Sequence, residues 1–261
     1  MRLPIYQVDA FTDTLFAGNP AAVILCDNTP SDSMMQSIAA ENNLAETAFV
    51  LGELNSLSIR WFTPTVEVDL CGHATLAAAH ILFEKHGDID GGLAFDSRSG
   101  VLRVSKSDTR LWLNFPTDRL TQENTFPDQL IEGLGIHPRE VYRGRHDYLA
   151  ILDDENTISK LRPNLIAISG LACRGVIVSA QGDEVDFVSR FFAPQSGIPE
   201  DPVTGSAHTT LTPYWSKRLG KQKMQARQLS PRGGMLFCED RGERVEIGGS
   251  AVTYLQGEIV I

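Results

Sequence analysis

SIRWFTPTVEVDLCGHATL (residues 58–76) and VSRFFAPQSGIPEDPVTGSAHT (residues 188–209) decide how this chain folds. Each begins with a strand-like Arg-aromatic-Phe segment that ends in x-Pro. Each continues through an acidic loop and closes with a Gly that opens a small-residue helix. The two arginines, Arg60 and Arg190, stand 130 positions apart, and the two glycines, Gly72 and Gly205, stand 133 apart. Both separations are close to half of the 261 residues, and the shared order and helix start read as an internal duplication. The chain is therefore expected to form two similar domains facing each other, residues 1–117 and 118–261, with the last strand free to return to the first domain. The polar, proline-bearing stretch Asn114 to Gln129 suits the boundary. Ligand sites favour such domain interfaces.

Outward from the repeat, strand patterns dominate. LPIYQVDAF, AAVILC, ETAFVL, LSIRWFT, LAFDSRSGVLRVSKS, LWLNF, YLAIL, RGVIVSA, VDFVSRFF, GMLFCED, RVEIGG and TYLQGEIVI are rich in Val, Ile, Phe and Tyr. Helices are predicted over Ser31 to Ala40, Thr75 to Lys85 with Cys71–His73 as its first turn, Gln129 to Leu134, and Ala207 to Leu219. Strands and helices do not alternate strictly, so a doubly wound sheet is disfavoured; an α+β class with mixed or mostly antiparallel sheets fits.

Composition narrows the function. A hydrophobic share of 42% allows a substantial core, while a net charge of −10 without a basic run makes nucleic acid and anionic membrane poor partners. No apolar run reaches the ~20 residues a membrane span needs. The acidic, non-apolar start MRLPIYQVDAFTD is unlike a signal peptide. Four scattered cysteines, Cys26, Cys71, Cys173 and Cys238, read as reduced thiols, so a cytoplasmic location is expected. The six histidines show neither His-x-x-x-His nor His-Glu-x-x-His, so no metal is expected.

The two helix starts carry the chemistry. A helix N-terminus offers unpaired N–H groups and a partial positive charge, which attract anions. Gly72 and Gly205 remove side chains that would hold a ligand off. Neither loop holds a Lys, an Arg or a Walker pattern, so a carboxylate or developing enolate suits the field better than phosphate. His73 can shuttle a proton or bind a substrate oxygen. Cys71 is either an activated thiol or a small buried apolar residue. Its counterpart in the repeat is Thr204, so there is no matched thiol pair. Asp201 follows Glu200, and two acids beside the Gly205 start point to a site. In NLAETAFVL, residues 43–51, Glu46 sits among apolar neighbours. It either points to solvent or is desolvated, and desolvation would bring its pKa toward that of a general acid/base.

QVDAFTDTLFAGNPAAVIL, NLAETAFV, DLCGHATLAAAHIL and GIPEDPVTGSAHTTL together resemble the PhzF-like family, named for phenazine biosynthesis, and span Gln7 to Leu211. The resemblance implies a fold like that of diaminopimelate epimerase: two pseudo-symmetric domains, each a curved, mostly antiparallel sheet around a central helix. It implies that Glu46 is the proton-transferring acid/base, with His73, Asp201 and Ser206 as further polar site residues. Asn19 lies in a loop near the site in that family and is a candidate substrate contact. The namesake enzyme shifts a proton in trans-2,3-dihydro-3-hydroxyanthranilate without cofactor or metal. The expectation is a cofactor-independent isomerase acting on a small amino- or hydroxy-carboxylic acid, with Glu46, His73 and Asp201 catalytic. Asn19, Cys71, Gly72, Gly205 and Ser206 would bind substrate. The family also implies a homodimer. Two alternatives stand beside this reading: a racemase or epimerase with Cys71 as one base, and a small-molecule binding protein without turnover.

Overall fold

A computed structural model describes residues 1–261. The chain divides into two compact units: Met1–Asn114 with Gly248–Ile261, and Phe115–Ile247. The last strand thus belongs with the first unit. No helix is long and apolar enough to cross a membrane.

The first unit contains β1 (Arg2–Ala10), β2 (Asn19–Cys26), α1 (Asp32–Asn42), β3 (Glu46–Leu51), β4 (Leu57–Phe62), β5 (Glu67–Val68), α2 (Gly72–His86), β6 (Leu93–Ser97), β7 (Gly100–Ser107) and β8 (Arg110–Pro116). The second contains β9 (Thr121–Gln122), α3 (Asp128–Leu134), β10 (Glu140–Arg143), β11 (Asp147–Ile151), α4 (Glu155–Lys160), α5 (Leu165–Ser169), β12 (Gly175–Gln181), β13 (Phe187–Ala193), β14 (Ile198–Asp201), α6 (Gly205–Leu219), β15 (Lys223–Gln228), β16 (Gly234–Asp240) and β17 (Arg244–Gly249). The final strand, β18 (Ala251–Val260), pairs antiparallel with β1.

The duplication holds strand by strand. In the first unit β1–β2 is antiparallel, β2–β3 parallel, β3–β4 and β4–β5 antiparallel, β4–β6 parallel and β6–β7 antiparallel. In the second, β10–β11, β11–β12, β12–β13, β13–β14, β13–β15 and β15–β16 repeat the same series of senses. The sheets are mixed, and the class is α+β. A further likeness sits in the repeated motif itself. Arg60 forks onto Glu67 at 2.7 and 2.8 Å, and Arg190 forks onto Glu200 at 2.7 and 2.9 Å. Each guanidinium also lies over the Phe two residues on, Phe62 or Phe192. The arginine within the strand thereby locks the acidic segment that leads into the central helix of its unit.

Both faces of the first unit's sheet are covered. Helix α1 packs on β3 and β4, and its core gathers Ile24, Met35, Ile38, Phe49, Leu51 and Phe62. Helix α2 packs on β1, β2, β3 and β18. Its run from His73 to Ala79 is wholly buried, and the alanines there let strands approach closely. A strand buried on both faces reads as continuously apolar, and all six residues of β3 are buried. Period two then assigns faces. Thr47 receives a hydrogen bond from Asn42 of α1, and Phe49 and Leu51 share that side. Glu46, Ala48 and Val50 turn the other way, toward α2.

In the second unit α3, α4 and α5 cover one core, with Leu130, Ile158, Ile168, Val176, Val188 and Phe192 at its centre. Helix α6 packs on β15 and β16. It carries Pro213 in its interior, which removes the N–H that would bond the Thr209 carbonyl. The backbone N–H of Asp118 donates to that carbonyl instead, at 3.3 Å.

Two expectations need correcting. LAFDSRSGVLRVSKS forms a hairpin rather than one strand: Arg98 and Ser99 turn the chain, and Gly100, at φ +93°, pairs with Ser97 across the turn. Several short elements had no expected counterpart, among them α4, α5, β10 and β15. Helices α4 and α5 have only six and five residues, and each is started by a side-chain cap, Asp154 or Asn164.

Candidate active site

Of the candidate site residues, Asn19, Glu46, Cys71, Gly72 and His73 lie together in the first unit. β2 and β3 run parallel, with Ala21 beside Glu46, so Asn19 and Glu46 lie at the same end of the pair. Asn19 shares the face of Ala21 and Val23, the α2 face. The N-terminus of α2 meets them there. Its N-cap is Cys71, in extended conformation with no side-chain cap hydrogen bond, followed by Gly72 and His73. Asn19 is 0%, His73 5%, Cys71 6% and Glu46 8% exposed, so the set is shielded from water.

His73 is the hub. Its Nε2 lies 3.1 Å from Oε2 of Glu46, and its Nδ1 lies 3.2 Å from Nδ2 of Asn19 and 3.5 Å from Sγ of Cys71. Oε2 of Glu46 is buried and accepts no hydrogen bond of good angle, so its relation to His73 is chiefly one of charge. Burial alone would push the imidazolium down. The negative charges of Cys71 and Glu46 outweigh that and hold His73 well above its ordinary 6.5. Burial, with Glu46 beside it, pushes the Cys71 thiol above its ordinary 9.0; His73 and the Ala74 N–H act the other way without prevailing. His73 is thereby held as an imidazolium against Glu46 and Cys71.

That state has a thermodynamic signature. A histidine whose folded pKa exceeds its unfolded value adds stability that is complete below the unfolded value and is lost as pH rises through the folded one. Cys71, also raised, adds a loss of the same sign. Urea unfolding followed from neutral into alkaline pH should therefore show stability falling, with a shallower fall in Glu46→Gln. A flat wild-type profile would mean that His73 and Glu46 do not form a charged pair.

The second unit holds the remaining candidates. Asp201, 8% exposed, ends β14, and its Oδ2 accepts a 2.6 Å hydrogen bond from the Thr204 hydroxyl. Thr204 is the N-cap of α6, extended and without a side-chain cap bond, as Cys71 is in α2. Gly205 and Ser206 open the helix behind it. Gln228 was not anticipated. Fully buried at the end of β15, its Oε1 accepts from Thr204 N at 2.8 Å, while its Nε2 donates to Asp201 O at 2.8 Å and to Thr204 Oγ1 at 3.1 Å. His208 donates through Nδ1 to the Thr204 carbonyl at 2.8 Å, as Thr75 Oγ1 donates to the Cys71 carbonyl in the first unit. Burial pushes His208 down to about 4, so it is neutral at ordinary pH. Glu200, read beside Asp201 as a pair of site acids, is committed elsewhere, since both its oxygens are engaged by Arg190. A cavity of about 660 Å³ on this unit, with Tyr142, Tyr214, Arg119 and Lys217 in its wall, contains none of the expected site residues.

This arrangement, a buried acid and imidazole at a glycine-led helix start within a duplicated fold, has known relatives. The sequence pattern of the phenazine biosynthesis-like proteins, PhzC-PhzF, matches residues 8–257. The chain belongs to that family. It is 51% identical over 259 residues to an uncharacterised isomerase of Pseudomonas aeruginosa, covering 99% of each chain. A PhzF-family crystal structure from Enterococcus faecalis superposes with a TM-score of 0.96 at 46% identity, over 100% of both chains. A predicted epimerase of Pseudomonas aeruginosa shares the fold at 21% identity, with a TM-score of 0.72 and 99% of each chain covered. The architecture is thus the diaminopimelate epimerase-like one, and by kinship the PhzF-family chain is an enzyme of the isomerase class.

Proposed function

We propose that this PhzF-family protein is a cofactor-independent isomerase that moves a proton between carbons of a small amino- or hydroxy-carboxylic acid, with Glu46 as general acid/base. The observation that carries the proposal is the placement of Glu46. It is a shielded carboxylate 3.1 Å from an imidazole that its charge helps keep protonated.

The step balances within the substrate. Glu46 takes a proton from the carbon beside a carbonyl or carboxylate. The bond's electron pair moves onto the oxygen, giving an enolate. The N-terminal N–H groups of α2 and the His73 imidazolium stabilise that negative charge. Glu46 then returns the proton at another carbon. No electron leaves the molecule, so no redox partner is called for. Asn19 suits a residue whose partner changes protonation. Its amide presents N–H to a neutral Nδ1 and, turned over, presents oxygen to Nδ1–H. Asp201 is assigned to the substrate's amine or hydroxyl, with Ser206 and the backbone at Gly205 as further contacts. The two-base racemase reading is weaker, because the position matching Cys71 is Thr204 and its hydroxyl is committed to Asp201.

The test is a pool of amino and hydroxy acids incubated with the protein in D2O and followed by NMR. One compound should lose a C–H signal only when the protein is present, and a rearranged product should appear. Tight ligand binding without any exchange would replace the isomerase reading by that of a binding protein.

A further inference from the structure

We propose that Glu46, Cys71 and His73 form a binding site for a single thiophilic divalent cation, zinc above all, which occupies the site in competition with substrate. The donor set is thiolate, imidazole and carboxylate, the ligand types zinc takes in sites with three protein ligands and one open position.

The spacing fits. All the donor atoms lie within 4.8 Å of one another. Nε2 of His73 is 3.1 Å from Oε2 of Glu46 and 4.0 Å from Sγ of Cys71. Metal bonds of about 2.0–2.3 Å in a tetrahedron place ligand atoms roughly 3.3–3.7 Å apart. Glu46 already faces Nε2, whereas Sγ of Cys71 lies nearer Nδ1, at 3.5 Å, than Nε2, so the Cys71 side chain must swing toward Nε2 to close on one ion. The carboxylate oxygen facing the gap is buried and has no well-formed hydrogen bond to give up. Asn19, against Nδ1 of His73 at 3.2 Å, can hold the ring with its amide oxygen while Nε2 ligates. A metal-bound histidine ordinarily has such a partner on its other nitrogen.

Charge also balances. Binding displaces the thiol proton of Cys71 and the Nε2 proton of His73 into solvent. Zn²⁺, thiolate, carboxylate and neutral imidazole sum to zero. The cation therefore adds no net charge to the positive end of α2. β3 contributes Glu46 to this set, α2 contributes Cys71 and His73, and the facing residue of β2, Asn19, is neutral. Zinc is here a ligand that silences the acid/base, since a metal-bound Glu46 cannot take a proton from carbon.

The experiment needs no substrate. The purified full chain, stripped with a chelator, is titrated with ZnCl2 against a chromophoric indicator and, separately, with CoCl2. The expected result is one tight equivalent and, for cobalt, a sulfur-to-metal charge-transfer band with the strong visible absorption of tetrahedral Co²⁺. Cys71→Ser should abolish the band. His73→Gln and Glu46→Gln should each weaken zinc by more than about 100-fold, beyond the range lost with a merely supporting group. Cys173→Ser and Cys238→Ser should change neither. Thermal unfolding of each metal-free variant establishes that it is folded. Absence of a tight equivalent in the wild type, or a band that survives Cys71→Ser, overturns the proposal. Either outcome is independent of whether Glu46 moves a proton, which deuterium exchange reads separately.

Discussion

Replacing Glu46 by Gln is expected to slow deuterium exchange at the substrate carbon by about 10²–10⁴-fold, the range a positioned acid/base contributes. The change preserves shape, so the fold should survive, with unfolding shifted only by the stability that Glu46 supplies through the raised His73. Gln cannot take a proton, and it withdraws the negative charge that supports the His73 imidazolium. Burial would then act on His73 with less opposition, and its NMR titration should move downward in the same variant. The two readouts separate explanations. Slowed exchange together with a lowered His73 titration places Glu46 both in the proton path and beside the imidazole. A lowered titration with undiminished exchange would leave Glu46 as a mere counter-ion and remove it from the mechanism. Asp201→Asn should be milder at the carbon and stronger on substrate affinity. Its Oδ2 is already held by Thr204, and the amide can keep that bond through its oxygen while losing the charge assigned to an amine.

The duplication was legible because its markers are side chains that turn, cap or punctuate: Pro64 and Pro194, Gly72 and Gly205, and the aromatic pairs Trp61–Phe62 and Phe191–Phe192. The candidate site in the first unit was legible only in part: residue types left Glu46 open between solvent and burial, and the resemblance to the family singled it out. Glu46 opens a strand with no polar neighbour on its own face, and Cys71–His73 lead directly into an unbroken apolar helix. The second unit was harder to read. The strand KMQARQ, β15, carries charge and amide at alternate positions, and only Met224, Ala226 and Gln228 turn inward. An inward Gln has no composition signal; its role appears only when the fold brings it to Thr204. The fate of Glu200 needed the third dimension too. Arg190 lies 10 residues before it, in another strand, and only the antiparallel return of β14 onto β13 joins them. The same pair in the first unit, Arg60 and Glu67, was the available clue, for two acids at matched positions in a repeat, each with a matched arginine, suggest a lock.

That lock carries the largest stability effect expected here. Arg190 is 8% and Glu200 18% exposed at the side chain, so breaking the pair strands a shielded carboxylate. Arg190 also donates through Nη1 to the carbonyls of Ile158, at 3.1 Å, and Leu161, at 2.9 Å, where α4 ends. The Ile158 carbonyl also accepts from the Leu161 N–H at 3.3 Å, and Arg190 adds a second donor to it while serving the Leu161 carbonyl beyond the helix end. Arg190→Met should therefore cost about 3–5 kcal/mol, the usual penalty for removing one member of a buried pair. Arg60→Met should cost less, about 1–2 kcal/mol, for a reason visible at its partner. Glu67 is also held at 2.7 Å by Arg98 and keeps a cation when Arg60 is gone, while the other partner of Arg60, Asp32, is 78% exposed. The double replacement Arg190→Met with Glu200→Leu should recover much of the loss, because the uncompensated charge goes with the second change. Urea unfolding of the three variants measures all of this. Equal costs at Arg60 and Arg190 would show that the shared fork, rather than what surrounds each one, sets the energy, and would remove the asymmetry argued here.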